Sequence, residues 1–236
     1  VKKIISALSI AACMSTAVAA DNFTVDEKAQ IEQIVHNYIV SHPEVLIEAQ
    51  EKLEAQYSQM MAQAIPKAAE AFINDPDTPK FGNKDSKHYV IEFFDYNCGY
   101  CKTVRPHIAK YVKEKDALLV LIEYPILSQI SVKASAIGLA LHSVDKDKYY
   151  KYQEYLMSSK EKITSEAQLK EAVAKAGGNF GELIEIVKDP KIQNMLKKNM
   201  IQGQSIGVMG TPFFIIDGKA IRGAIRSYED LLQRLE

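Results

Sequence analysis

The sequence predicts an α/β protein with an all-helical N-terminal segment, and three observations carry that prediction. Two near-continuous apolar runs, residues 89–94 and 117–124, have the length and texture of strands buried on both faces. A helical stretch joins them, so strand, helix and strand form one βαβ unit. Residues 24–75 contain no strand-like run and repeat their apolar residues at helical spacing. The composition fits such a protein: 236 residues, 47% hydrophobic and 25% charged, with a formal charge of −1. These values exclude disordered and collagen-like chains. The balanced charge gives no general case for a nucleic acid partner. Three cysteines are too few for a disulfide framework, so their positions matter more than their number.

The first twenty residues have the order of an export signal: Lys2 and Lys3, an apolar run from 4 to 18, and the small residues Ala17-Val18-Ala19-Ala20. The run is short for a membrane span. An alternative is a bacterial lipoprotein signal, Ile10-Ala11-Ala12-Cys13, with Cys13 lipidated. Removing residues 1–20 takes two of the 29 basic residues and none of the 30 acidic ones, moving the net charge from −1 to −3. Cys98 and Cys101 then stand alone in an oxidising compartment, the periplasm or cell envelope.

Thr24 with Glu27 three residues later forms a capping box, and Ile31, Ile34, Val35, Tyr38 and Ile39 follow at helical spacing. Ser41-His42-Pro43-Glu44 stops this helix and starts another. In the second helix Leu46, Leu53 and Met60 lie seven apart, and Gln50, Tyr57 and Ala64 form the companion series. This seam serves either self-association or packing against the chain's own domain. The Asp- and Pro-rich stretch 76–87 is expected to be a linker, so the expected organisation is 1–20 signal, 21–75 helical oligomerisation region, 76–87 linker and an α/β domain over 88–236.

In that last region, a helix from Cys101 to about Lys115 follows the first strand. Helices then fill 130–203: 134–142, 148–158, 165–176, and 180–202 broken at Asp189-Pro190. A third strand is expected over 213–216, and Asp217-Gly218 is a hairpin signal. Ala220 to Arg222 return, and Ser227 caps a last helix. Tyr149, Tyr150, Tyr152 and Tyr155 are expected to pack within the helical block.

Cys98-Gly99-Tyr100-Cys101 follows a buried strand and opens a helix, the setting in which C-x-x-C marks redox exchange. The attacking species is a thiolate, and free N–H groups at a helix start stabilise it. Cys98 is the expected nucleophile. Cys101, a turn inside, is the expected resolving thiol. Asp95 and Asn97 stand where they can help cap this helix. A structural disulfide closing so short a loop restrains little. Zinc needs about four ligands, and His36, His42, His88, His107 and His142 form no close pair of ligand type, so neither metal nor cofactor is expected. Lys102, Arg105 and His107 share the same helix and are expected at the surface.

Glu92, within the first apolar run, has two readings. A buried carboxyl would have a raised pKa and accept the proton of Cys101; an edge carboxyl would be solvated. Thr211-Pro212 precedes the third strand. A proline there marks a special turn whose X–Pro bond is trans or cis, the residues alone favouring trans.

The run Ile91 to Cys101, with Gly210-Thr211-Pro212, resembles the DsbA-type thioredoxin-fold proteins of bacterial envelopes. The helical block at 130–203 is similar to the insertion those proteins carry. Tyr38-Ile39-Val40-Ser41-His42-Pro43-Glu44-Val45-Leu46 resembles the N-terminal extension of the ScsC (suppressor of copper sensitivity) group and related oligomeric DsbA-like proteins. The resemblance implies a thioredoxin fold with a helical insertion, a catalytic set of Cys98, Cys101 and Glu92, a cis Pro212, and substrate contact at Thr211, Pro212, Gly99 and Tyr100. Thr at 211 is common in isomerase-like members. Gly-Tyr replaces the Pro-His of the monomeric oxidase, removing its thiolate-stabilising histidine. The implied protein is an exported disulfide isomerase or reductase acting on envelope proteins, homodimeric or homotrimeric through 24–75 and kept reduced by a membrane partner. The rivals are a net dithiol oxidase with a membrane oxidase partner, and an envelope surface or copper-tolerance protein with a minor redox role.

Overall fold

The computed structural model describes residues 23–236; the expected signal, with Cys13, lies outside the described residues. The chain divides into two compact units between Ala55 and Gln56. In the first, helix α1 (Val25–Ser41) begins at the expected capping box: Thr24 N–H donates to the Glu27 carboxylate at 2.8 Å, and Glu27 N–H donates to Thr24 Oγ1 at 3.3 Å. His42 ends it, its N–H donating to Tyr38 O at 2.9 Å and its ring stacked on Tyr38. Helix α2 (Glu44–Asn74) starts just after Pro43. No residue of α1 is buried, and Ile31, Ile34, Val35, Tyr38, Leu46, Ile47 and Leu53 are exposed.

The second unit begins inside α2, and here the seam resolves into two parts. Met61, Ile65, Ala69 and Phe72, spaced four, four and three residues apart, are buried in a core with Phe93, Tyr124 and Phe213. Tyr57 and Ala64, expected in the companion series, are partly buried against the same core. Met60 stays exposed. The C-terminal part of α2 is therefore a core helix of the second unit, and the described part of the expected 21–75 region is not one piece. Phe72 meets the Phe93 ring edge-on at 5.4 Å and is 1% exposed. Phe72→Ala is expected to cost about 3–5 kcal/mol, measured by denaturant unfolding of the full chain.

A five-stranded sheet runs in the order β1-β3-β2-β4-β5. Its strands are β1 (Lys80–Gly82), β2 (Tyr89–Phe94), β3 (Leu118–Glu123), β4 (Phe213–Ile216) and β5 (Lys219–Arg222). The pair β2–β3 is parallel; the other three pairs are antiparallel. β1 corrects the expectation of a plain linker over 76–87. Lys80, Phe81 and Gly82 pair with Val120, Leu119 and Leu118 and cover one sheet edge. Three residues between turns are too few for periodicity to register. At Gly82 φ is +85°, and a Cβ would lie 2.4 Å from Ala117 O, so the close approach requires glycine.

Helix α3 (Gly99–Glu114) makes the βαβ crossover. The insertion is α4 (Gln129–Val144), α5 (Lys146–Ser158), α6 (Glu166–Lys175), α7 (Phe180–Val187) and α8 (Pro190–Ser205); α9 (Tyr228–Leu235) closes the chain. Ser128, Asp145, Asn179, Asp189 and Ser227 accept N–H donors at helix starts. Alternation along β2 sends Ile91 and Phe93 into the core under α2, and Val90 into the opposite core with Val104 and Ile108 of α3. The hairpin turn is at Asp217-Gly218, both at positive φ. No described helix is long and apolar enough to cross a membrane.

Candidate active site

The strand–turn–helix sequence places the cysteine pair where α3 begins, two residues earlier than expected. Cys98 is itself the N-cap, and its Sγ accepts from Cys101 N–H at 3.1 Å. A sulfur in the capping position faces the free N–H groups and the positive end of the helix, the arrangement that favours a thiolate. The hydrogen bond from the Cys101 side chain is the largest influence on Cys98, and Cys101 N–H adds to it. With a further lowering from Thr211 they outweigh burial and bring Cys98 down to about 6. Cys101 is 0% exposed against 4% for Cys98. Burial, the Cys98 side chain and Glu92 all push the Cys101 thiol far up. One thiol is poised as an anion and the other held protonated.

Glu92 lies in the central strand β2, opposite Leu121 of β3 and Phe214 of β4, which removes the edge-residue reading. It is 3% exposed and its Oε1 has no hydrogen-bond partner. Burial raises its pKa to about 7, with Arg105 opposing and Cys98 adding to the rise. Glu92 and Arg105 both line a cleft of about 930 Å³ between α3 and α5. Arg105 donates to Gln153 Oε1 at 2.6 Å and pairs with Glu154. It is therefore part of this wall and not the free surface residue expected. Lys102 donates to Glu161 O at 2.9 Å.

The chain returns to the pair from the far side. The Thr211–Pro212 peptide bond is cis, and Cys98 Sγ lies 3.3 Å from Thr211 O, a contact in which the thiol donates while it is protonated. Between the cysteines, Gly99 has open space where a Cβ would stand, and Tyr100 is 66% exposed. The structure thus brings Cys98 into contact with both Cys101 and Thr211, and the Glu92 carboxyl is close enough to push the Cys101 thiol up.

Asp95 and Asn97 act differently from expected, since Cys98 caps α3 itself. Asp95 Oδ1 accepts from Asn97 N–H at 2.7 Å, and its Oδ2 accepts from Leu127 N–H at 2.9 Å. Asn97 bonds both ways with the backbone of Ile163, at 3.0 and 2.7 Å. These side chains lash the turn before Cys98 to the loop after β3 and to the insertion. Sequence reasoning missed Glu123 altogether. It ends β3 inside the expected apolar run and is 0% exposed. The only signal was a carboxyl in that run, the same signal that marked Glu92. Among the described residues, no group of three or more His, Cys, Asp or Glu could hold a metal ion.

The chain is similar to known proteins over most of its length. Residues 89–236 match the DSBA-like thioredoxin domain family, and residues 27–59 match the copper resistance protein ScsC N-terminal domain. Proteus mirabilis ScsC, in a transitional conformation, is 25% identical with a TM-score of 0.65, covering 91% of this chain and 95% of its own. The thiol-disulfide exchange protein alpha-DsbA2 of Wolbachia pipientis is 27% identical with a TM-score of 0.67, covering 77% and 96%. A periplasmic thioredoxin-like protein of Salmonella enterica serovar Typhimurium is 30% identical with a TM-score of 0.64, covering 71% and 93%. With more than half its length matched, the chain belongs to the family of DSBA-like thioredoxin domains and is a thiol-disulfide oxidoreductase of that type, preceded by a segment of the ScsC N-terminal kind.

Proposed function

We propose that this protein is an envelope disulfide isomerase and reductase, working on cysteine-containing proteins as a homo-oligomer. Cys98 thiolate attacks one sulfur of a substrate disulfide. The Cys98–substrate S–S bond forms, the substrate's own S–S bond breaks, and the released sulfur leaves with the electron pair as a thiolate. In isomerisation a second substrate thiolate attacks the substrate sulfur of this mixed disulfide. A new substrate disulfide forms and Cys98 leaves as thiolate, with no net change in oxidation. In reduction Cys101 gives its proton to Glu92 and attacks Cys98 Sγ. The substrate departs reduced, and Cys98–Cys101 becomes a disulfide that a membrane redox partner must reduce.

Thr211, Pro212, Gly99 and Tyr100 are the proposed substrate contacts. The Thr211 carbonyl beside Cys98 is the acceptor an extended peptide would use. The observation that carries the isomerase reading is the exposed apolar row of the helical segment, Ile31, Ile34, Val35, Tyr38, Leu46 and Leu53. That row supports self-association, and an oligomer raises the effective concentration of active sites on one misfolded substrate.

The test is refolding of a scrambled-disulfide substrate by the mature chain and by a chain starting at Gln56, which keeps the α2 residues of the catalytic core. The shortened chain is expected to be monomeric and to lose most isomerase activity, about tenfold or more on the effective-concentration argument, while still reducing a small disulfide. Unchanged isomerase activity in a monomer would sink the reading. Trapping the pair by alkylation in cells separates the directions: a largely oxidised pair indicates a net oxidase.

A further inference from the structure

Glu123 is a buried carboxyl that the proposed exchange does not use. Its Oε1 accepts from Tyr96 O–H at 2.8 Å and from Tyr149 O–H at 3.0 Å, and its Oε2 accepts from Ser135 Oγ–H at 2.7 Å. These donors come from three places: the turn two residues before Cys98, helix α5, and helix α4. The Glu123 backbone carbonyl accepts from Asn199 Nδ2 of α8 at 3.2 Å. Glu123, Tyr96, Tyr149 and Ser135 are each 0% exposed. The packing leaves the carboxyl little freedom. A Cβ on Gly138 would sit 2.9 Å from Glu123 Oε1 and 3.0 Å from Tyr96 Oη, so α4 approaches on a glycine.

A carboxyl with no cation among its hydrogen-bond partners is expensive to bury. Burial is the main influence on it and raises its pKa to about 8, while Ser135, Tyr96 and Tyr149 lower it and Asp95 adds to the rise. A hydrophobic residue would fill this place at less cost, so the fold gains something from the acceptor. Tyr96 is the one donor attached to the catalytic turn. Its ring meets Phe94 edge-on at 5.1 Å and Tyr152 at 5.7 Å, and its neighbour Asp95 accepts from Cys98 N–H at 2.9 Å through its backbone carbonyl.

We propose that Glu123 is a positioning residue for the thiol-disulfide chemistry: through Tyr96 it fixes the turn that sets Cys98 as the cap of α3, and through Tyr149 and Ser135 it ties that turn to the insertion. The inference rests on Cys98 being the nucleophile. It predicts an asymmetry between two equivalent-looking donors. Tyr96→Phe and Tyr149→Phe each remove one buried hydroxyl from the same carboxyl oxygen, but only the first loosens the catalytic turn.

The experiment is the pH profile of Cys98 alkylation in the reduced, mature Cys101→Ser protein, residues 21–236 and so without Cys13, alone and combined with Tyr96→Phe, Tyr149→Phe, Glu123→Leu or Glu123→Gln. With Tyr96→Phe and Glu123→Leu the midpoint is expected to rise by about half a pH unit, the size of one weakened hydrogen bond, with alkylation about threefold slower below the midpoint. With Tyr149→Phe the profile is expected to match the parent even if unfolding shows a similar loss of stability. Glu123→Gln, which keeps an acceptor for both tyrosines, is expected to restore the parent profile. A parent-like profile in Tyr96→Phe, or equal shifts in both Phe variants, would overturn the proposal and leave Glu123 a packing element only. A Gln variant as displaced as the Leu variant would also overturn it. If Glu123→Leu fails to fold, the two Phe variants decide alone. Loss of all alkylation in Cys98→Ser/Cys101→Ser establishes that the signal is Cys98; persistence there would remove the premise itself.

Discussion

Cys98→Ser is expected to abolish mixed-disulfide formation, a loss of at least about 10³ in exchange rate, while Cys101→Ser traps the mixed disulfide on Cys98. The asymmetry follows from the helix start. Cys98 caps α3, and its pKa is brought down to about 6, below neutral pH, which favours the thiolate. Cys101, wholly buried one turn inside and pushed far up, contributes almost no thiolate until Cys98 has been consumed. A brief iodoacetamide pulse at pH 7 on the reduced protein, read by peptide mass, should label Cys98 and leave Cys101 unmodified. Comparable labelling of both would contradict the assignment of nucleophile and resolving thiol. The serine hydroxyl at 98 still accepts from Cys101 N–H, so the variant is expected to keep its fold, and its inactivity is chemical.

The second large effect is at Glu92, and it appears in stability before it appears in rate. In the unfolded chain its carboxyl titrates near 4.5, in the folded protein at about 7. Between these values the unfolded chain has released a proton that the folded protein retains. Stability therefore falls as pH rises through this window, by about 3 kcal/mol in all, and stays lowered above it. Glu92→Gln removes the titrating group. The variant is expected to be more stable than the parent above pH 7 by up to about 3 kcal/mol, the difference vanishing towards pH 4.5, as read from denaturant midpoints across the pH range. The same change takes away the proposed proton acceptor of Cys101. Reduction should slow by about 10²-fold, while the first attack by Cys98 is spared. A destabilised Gln variant, or one whose stability tracks the parent at every pH, would show that the carboxyl is satisfied in some other way.

Legibility differed along the chain for reasons visible in particular residues. Tyr89–Phe94, Leu118–Glu123 and Phe213–Ile216 were readable because a central strand needs apolar residues on both faces, which leaves an unbroken run. The helix ends were readable where a side chain caps them, as at Thr24 and Ser227. β1 was not: three residues cannot show a period, and Lys80–Gly82 form a strand only because β3 offers an edge. The division of α2 was equally hidden. Leu53 and Tyr57 belong to one helical pattern, yet Leu53 is exposed while Tyr57 reaches the core and bonds to Arg222 at 3.0 Å. Periodicity reports which residues share a face, not what covers that face.

At the site the same boundary separates chemistry from geometry. Local spacing and apolar patterning are enough to place two thiols three residues apart at a strand-to-helix turn. The sequence also singled out Glu92, because a carboxyl in an apolar strand is rare on energetic grounds. Tertiary packing brings Thr211 to Cys98 from 113 residues away and gathers hydroxyls from three separated segments on Glu123. Those relations depend on which distant elements pack together, and no local pattern of side chains encodes a contact whose partner lies a hundred residues along the chain.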